Sequence, residues 1–369
     1  SSGHLKVATQ PSSADVFIIA VPTPFQESHS SLSDPSFPTA DLSYVVSAAK
    51  SVASHLRPGN LVILESTVPP GTTSNVLADT LASEGVKTAD ILIAHAPERV
   101  LPGNLLYELM HNNRVVGGLT TEATEAACIF YRSFVKGQVV TTDATTAELV
   151  KLMENTFRDV NIALANEFAL VSEYLGVDVW EAIRLANLHP RVNMLRPGPG
   201  VGGHCIAVDP YFVIEAAPHL TPLIQAARKV NSRMPQHTVR LVEQLIAASS
   251  RKVALLGASY KANVGDKRES PSLEIARLLE EKGLSVTVHD PYIEEYQCPI
   301  EEAVKGADAL VLVTDHDVYR SLDPKKVRSL VSSPLLLDTR GYLDEELWRA
   351  AGFTVHRLGV RSDVPCVVG

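Results

Sequence analysis

The chain has 369 residues, 33 Lys and Arg against 42 Asp and Glu for a formal net charge of -9, and 45% hydrophobic and 20% charged side chains. That length exceeds what one hydrophobic core supports and predicts two or three domains; no apolar run reaches membrane-spanning length, and the acidic balance argues against nonspecific nucleic-acid binding. Four scattered cysteines, Cys128, Cys205, Cys298 and Cys366, lack the paired spacing of a metal site, so no metal is expected and a reducing cytoplasm fits better than a disulfide framework.

Up to about residue 142, short apolar strands alternate with amphipathic helical stretches: strands at 15–21, 61–66 and 90–95 and in "RVVGG" and "GQVVTTD", helices at 73–84 and 121–134. Continuous β-branched runs between helix-length segments predict a parallel sheet covered on both faces. Thr145 and Glu148 read as a capping box that opens a long helix, with Gly176 as its stop after Leu175. Lys151, Asn155 and Arg158 share one face of that helix, while Leu152, Phe157, Ile162, Ala163 and Leu164 on other faces predict a helix enclosed by protein. A polar face on an enclosed helix lines a site; a solvated surface is the alternative.

Asp178 and Glu181 form a second capping box, for a helix that Pro190 closes, and Pro235 should kink or break a helical stretch over 221–248. From about residue 251 a second α/β unit follows: "KVALLGA", a helix capped by Ser270 with Pro271 at its first position, "SVTVHD", "ADALVLVTD", "PLLLDTRG" and "FTVHRLG".

Cys205 lies in "PGPGVGGHCIAVDPYF", a loop whose glycines bring backbone N–H groups close to their neighbours. Such donors can activate a thiol or stabilise an oxyanion on a carbon bonded to sulfur; a glycine-rich turn with an incidental cysteine is the alternative. Thr23, Thr67 and Glu98 sit at the carboxyl ends of three predicted strands, where open α/β sheets bind ligands. "GASYKANVGDKRESP" occupies a strand-to-helix turn but carries Lys261 and Arg268 where a dinucleotide fold would place glycines. It therefore reads as a basic phosphate cradle, with an ordinary surface loop as the alternative.

With "RDVNIALANE", "RLANLHPRVN" and "RPGPGVGGHCIAVDP" added, nearly the whole chain resembles the UDP-glucose/GDP-mannose dehydrogenase family. The resemblance implies an α/β protein with two Rossmann-like parallel-sheet domains joined by a long central helix and a helical middle domain. The domains would span 1–143 for NAD, 144–248 for the middle with the cysteine loop, and 249–369 for the nucleotide sugar. It implies two NAD-dependent oxidations of a sugar C6 alcohol to a carboxylate, with Cys205 as nucleophile, Asp209, Lys151 and Asn155 beside it, and Thr67 and Glu98 handling protons and water. Arg99, Val100, Lys151, Asn155, Arg158, His189, Arg191, Gly202, Tyr260 and Lys261 would hold a UDP-sugar, and Thr23, Thr67 and Arg268 would hold NAD. A homodimer through the central helix is implied, with Arg191 reaching a neighbouring subunit.

The "RPGPGVGG" form leans toward UDP-N-acetylmannosamine over UDP-N-acetylglucosamine, and Pro102, where glucose-specific members carry a second glutamate, argues against glucose. No GxGxxG follows a strand and no acidic residue ends the next one, so about half of the first dinucleotide fold is expected to be absent. A single-step hydroxyacid dehydrogenase, or an inert nucleotide-sugar-binding fragment, are the competing readings.

Overall fold

The computed structural model describes residues 6–26, 37–100, 104–247, 249 and 251–361. Pro102 and Cys366 lie outside them. The chain divides into two compact units, one of residues 1–155 with 208–221 and the other of residues 156–207 with 222–369.

The first unit is built on strands β1 (Val16–Ile19), β2 (Leu61–Leu64), β3 (Leu92–His95), β4 (Arg114–Gly118) and β5 (Val139–Asp143), arranged in chain order. All four residues of β2 are buried, as a strand covered on both faces must be. Pairing is parallel except between β3 and β4, which run antiparallel through Ala94–Gly118 and His95–Gly117; this corrects the wholly parallel sheet expected from the strand pattern. Its helices are α1 (Ser43–Ala53), α2 (Asp79–Ser83), α3 (Leu105–His111), α4 (Thr121–Arg132), the first turns of α5 (Ala144–Leu175) and, after the second unit has intervened, α7 (Asp209–Ala216). One core packs Phe17, Val62, Leu64 and Ile93 against Val45, Ala49, Leu77 and Leu81; a second packs Ile63, Ala94 and Val116 against Ala127 and Tyr131.

The second unit holds α6 (Val179–Ala186), α8 (Pro222–Leu245) and an all-parallel sheet. Its strands are β6 (Lys252–Leu256), β7 (Ser285–His289), β8 (Ala309–Leu312), β9 (Leu335–Asp338) and β10 (Thr354–Arg357), in the order β10-β9-β8-β6-β7. Helices α9 (Pro271–Glu281), α10 (Ile300–Val304), α11 (Asp317–Arg320), α12 (Pro324–Arg328) and α13 (Glu345–Ala350) connect them. Because β6 pairs with β7 on one side and β8 on the other, the chain reverses direction across the sheet at β6, creating the crevice where open α/β sheets take ligands.

Local signals held at α9, where the Ser270 side chain accepts from Ser272 N ahead of Pro271, and at Gly176, whose φ of +74° ends α5. Others gave way to tertiary partners. Asp143, not Thr145, caps α5 by accepting from Thr146 N at 2.9 Å. Glu148 turns instead to Thr73 N, Thr73 Oγ1 and Gly71 N at 2.5–2.7 Å. Asp178 does cap α6, but Glu181 pairs with Arg184 rather than reaching back. Helix α8 runs for 24 residues through the buried Pro235, so of the expected kink or break the break does not occur.

Helix α5 has 32 residues and is about 48 Å long at 1.5 Å per residue. Phe157 and Leu164, expected to be enclosed, are 66% and 46% exposed, whereas Lys151, Asn155 and Asp159 are buried. In the second unit Asp159 accepts from Arg228 at 2.6 Å and from Asn231 at 2.8 Å. Burial pushes the Asp159 carboxyl up, opposed chiefly by the Arg228 cation. Arg228→Met should therefore destabilise the fold by about 3–5 kcal/mol in denaturant unfolding, because it strands a buried carboxylate, and adding Asp159→Asn should recover part of that loss.

Candidate active site

Short polar side chains stitch together the carboxyl ends of β1 and β2. Ser66 Oγ accepts from Val21 N and donates to Val21 O, both at 2.8 Å, and Thr23 Oγ1 donates to Thr67 O at 2.7 Å. Thr23 and Thr67 thus stand side by side, half-buried, at the edge where their positions after the strands predicted them.

Glu98 follows β3, and its carboxylate accepts from Val100 N. Burial pushes Glu98 above the ordinary glutamate range, while Lys151 and Arg114 pull it down and Glu65 and Glu108 push it up. Helix α5 contributes Lys151, 9% exposed, and Asn155, fully buried. Asn155 Nδ2 donates to the buried carboxylate of Asp209, the first residue of α7. Arg99 forms an ion pair with Glu154 of α5 and donates to Asn113 O at 3.1 Å. The first unit therefore gathers Thr23, Thr67, Glu98, Arg99, Val100, Lys151, Asn155 and Asp209, the last 54 residues from its partner Asn155.

Four further side chains were not anticipated: Glu65, Arg114, Tyr131 and His95. Arg114, buried at the start of β4, places Nη1 3.3 Å from Glu65 Oε1, and Tyr131 donates to the same oxygen at 2.5 Å. This pair lies close enough to bias Glu98 electrostatically. Its only trace in the sequence was a glutamate directly after an apolar strand. His95, fully buried at the end of β3, has no hydrogen-bond partner for either ring nitrogen among the described residues, and burial holds its pKa down at about 3, so it is neutral.

In the second unit Cys205 is half-buried in the glycine loop. A Cβ at Gly202 would lie 2.5 Å from Glu269 O and 2.8 Å from Tyr260 Cβ. At Gly203 (φ +87°) it would enter the Tyr260 ring at 2.7–3.0 Å. Only glycine permits this approach, and Gly203 N donates to Arg268 O at 3.0 Å.

Burial, Asp266 and Cys205 all push the Tyr260 phenol up. Arg268, expected to contact the cofactor, is engaged by Asp266 at 2.6–3.2 Å and feels the charge of Cys205. Lys261 is exposed on the same turn, and Arg158 is half-buried on α5. His189 and Arg191 are exposed just beyond α6, where Arg191 N donates to His189 Nδ1 at 3.3 Å.

Two sheets with polar groups gathered at the carboxyl edge of one and the switch point of the other, and a helix that turns polar groups inward, define an α/β nucleotide-binding protein. Domain signatures refine this: the NAD binding domain of the UDP-glucose/GDP-mannose dehydrogenase family matches residues 1–135, its central domain 145–233 and its UDP binding domain 254–345. The chain belongs to the UDP-glucose/GDP-mannose dehydrogenase family.

It is similar to the UDP-N-acetyl-D-mannosamine dehydrogenase of Methanocaldococcus jannaschii, 47% identical over 97% of this chain and 83% of the relative. It is also similar to the NDP-N-acetyl-D-galactosaminuronic acid dehydrogenase of Ralstonia nicotianae, 44% identical over 92% and 82%. The solved UDP-D-ManNAc dehydrogenase of Pyrococcus horikoshii aligns with a TM-score of 0.86 at 42% identity, over 94% of this chain and 82% of that one.

The expectation of a half-absent first dinucleotide fold, and of an inert chain, finds no support, since the NAD binding domain is matched and similarity runs through nearly all of the chain. NAD is the cofactor of this domain. Among the described residues no cluster of His, Cys, Asp and Glu could hold a metal ion, and no helix is long and apolar enough to cross a membrane.

Glu98 offers a direct test of this electrostatic reading. Removing the cation in Lys151→Met should move the Glu98 carboxyl titration further up, which 13C NMR of labelled glutamate carboxyls would register. A downward or absent shift would mean that Lys151 does not face it.

Proposed function

We propose that this chain is an NAD-dependent UDP-sugar 6-dehydrogenase that oxidises a C6 hydroxyl by four electrons to the carboxylate, with UDP-N-acetyl-D-mannosamine as its substrate. The observation that carries this reading is the buried Asn155–Asp209 hydrogen bond beside Lys151, which fixes an amide and an ammonium next to the segment that follows Cys205 by four residues. The relatives named for UDP-N-acetyl-D-mannosamine support the choice of sugar.

An aldehyde cannot lose hydride until its carbon becomes tetrahedral and carries oxygen, and a thiolate adding to it meets that need. In this mechanism Cys205 Sγ bonds to the aldehyde carbon, giving a thiohemiacetal. Lys151 and Asn155 donate to the oxygen as negative charge develops there, a kind of stabilisation typically of about 3–4 kcal/mol per donor. The second oxidation leaves a thioester on Cys205. Water held by Glu98 and Thr67 adds to it, releasing the carboxylate and returning the thiol. What NAD supplies when bound is a hydride acceptor, once for each oxidation.

Burial of Glu98 suits its role, because raising a carboxyl above its ordinary range makes it a stronger base for the water proton. Tyr260, Lys261 and Gly202 hold the nucleotide sugar, joined by Arg99, Val100, Arg158, His189 and Arg191, and Thr23, Thr67 and Arg268 serve the cofactor. The functional domains are 1–143, 144–248 and 249–369. The protein works in the cytoplasm, where NAD and UDP-sugars are available.

Wild-type enzyme should release two NADH per UDP-N-acetyl-D-mannosamine consumed. Cys205→Ser should lower uronate formation by at least about a thousandfold, as loss of a covalent nucleophile does. One NADH per sugar, or wild-type uronate output from Cys205→Ser, would defeat the covalent route, and faster turnover of the N-acetylgalactosamine sugar would reassign the substrate.

Helix α5 exposes Phe157, Leu164, Phe168, Val171, Tyr174 and Leu175, each more than 40% accessible. An apolar stripe of this length calls for a partner, and a second copy through α5 is the proposed one. Phe157→Glu with Phe168→Glu should convert a dimer to a monomer in sizing chromatography with light scattering; a wild-type monomer would remove this assembly.

A further inference from the structure

The turn between β6 and α9 carries Tyr260 and Lys261 at the switch point of the second sheet, and it is clamped on both sides of these two residues by groups from the neighbouring strand ends. On one side, Asp290, just after β7 and fully buried, accepts from Ala258 N, Ser259 N and Ser259 Oγ, each at 2.8 Å. Thr314, just after β8, donates to Ser259 O at 2.6 Å.

On the other side, His316, also fully buried, lies 3.0 Å from Asp290 through Nε2, and its Nδ1 accepts from Asn263 N at 2.8 Å. Those two bonds define the neutral Nε2–H tautomer: one nitrogen must donate to the carboxylate while the other accepts from the amide. The Asn263 side chain adds bonds to Asp317 Oδ2 and Asp317 N and accepts from Tyr292 Oη, at 2.8–3.2 Å. Asn263 needs holding because its φ of +59° is a conformation that residues with a Cβ rarely adopt.

We propose that His316, with Asp290 behind it, is a positioning residue for nucleotide-sugar binding: it relays a buried carboxylate to the backbone of Asn263 and holds the 259–263 turn in its ligand-ready shape before the nucleotide arrives. Neither side chain is needed to touch the ligand. Without the relay, Tyr260 and Lys261 remain present, but their turn must be ordered during binding, which weakens affinity without altering the chemistry at C6. Asp290 is suited to anchor the relay, since burial opposes its ionisation yet the His316 ring and the backbone N–H donors outweigh it and hold the carboxyl well below the usual range. The proposal rests on the reading that this turn binds the nucleotide half of the substrate.

The test is calorimetric titration of the full chain with UDP, paired with steady-state kinetics on the UDP-sugar. His316→Gln keeps a donor where Nε2 stood and loses the acceptor for Asn263 N. His316→Asn keeps an acceptor where Nδ1 stood and loses the bond to Asp290. Asn263→Gly keeps the left-handed backbone and its N–H but removes the side-chain clamps.

The expected result is a Kd for UDP raised about tenfold in His316→Gln and about threefold or more in Asn263→Gly, as loss of one or two hydrogen bonds implies, with His316→Asn nearer to wild type. KM should rise in step while kcat stays within about twofold. If His316→Gln does not fold, Asn263→Gly, an exposed position, carries the test. Wild-type affinity and KM in these variants, while Lys261→Ala weakens UDP binding, would overturn the positioning role alone. Failure of the wild-type protein to bind UDP would overturn the nucleotide-site reading and the proposal with it.

Discussion

Leaving a buried polar group without a partner is costly, and in this protein that constraint falls most heavily on one face of α5. Asn155 and Asp159 have no access to water, and Lys151 has almost none. Each needs a hydrogen bond or opposite charge supplied by the fold, because an amide or ion transferred from water without compensation costs several kcal/mol. The first unit answers with Asp209 at the start of α7, and the second with Arg228 and Asn231 of α8. The inward face of the helix consequently carries a string of specific pairings beside the buried Leu152, while Phe157, Leu164 and Phe168 face outward.

That arrangement links stability to chemistry. A side chain held by a buried partner has few rotamers left, so Asp209 orients Asn155 before any ligand binds, as the proposed donor role requires. The Glu98 carboxyl is set by the same kind of balance: enclosure raises it, and the nearby cations Lys151 and Arg114 oppose that rise. In the second sheet the device recurs with different residues, Asp290 and His316 organising a turn through its backbone amides. Both units keep charged groups inside by surrounding them with donors, and both place the organised segment at a carboxyl edge.

Much of the architecture was legible because it follows from local rules. Apolar runs such as "LVIL" and "ALVL" became fully buried strands, Ser270 and Asp178 capped the helices they precede, and Gly176 ended α5. The signals that misled were also local. A Thr145–Glu148 capping box was outbid by the Thr73 and Gly71 donors, and Pro235 removes one hydrogen bond from a helix that packing on both sides keeps whole. Nothing in the spacing shows that Asp266 pairs with Arg268.

What the sequence by itself determined was the kind of element at each point along the chain, the crowding of glycine at Gly202 and Gly203, and the set of side chains able to do chemistry, since periodicity, capping and steric allowance act over a few residues. Only the tertiary structure decided which side of α5 turns inward, that Glu65 meets Arg114, that Asn155 meets Asp209, and that His316 stands between Asp290 and Asn263. These partners are tens of residues apart, and their meeting depends on strand order and on which groups are shut away from water, quantities that exist only once the chain has closed on itself.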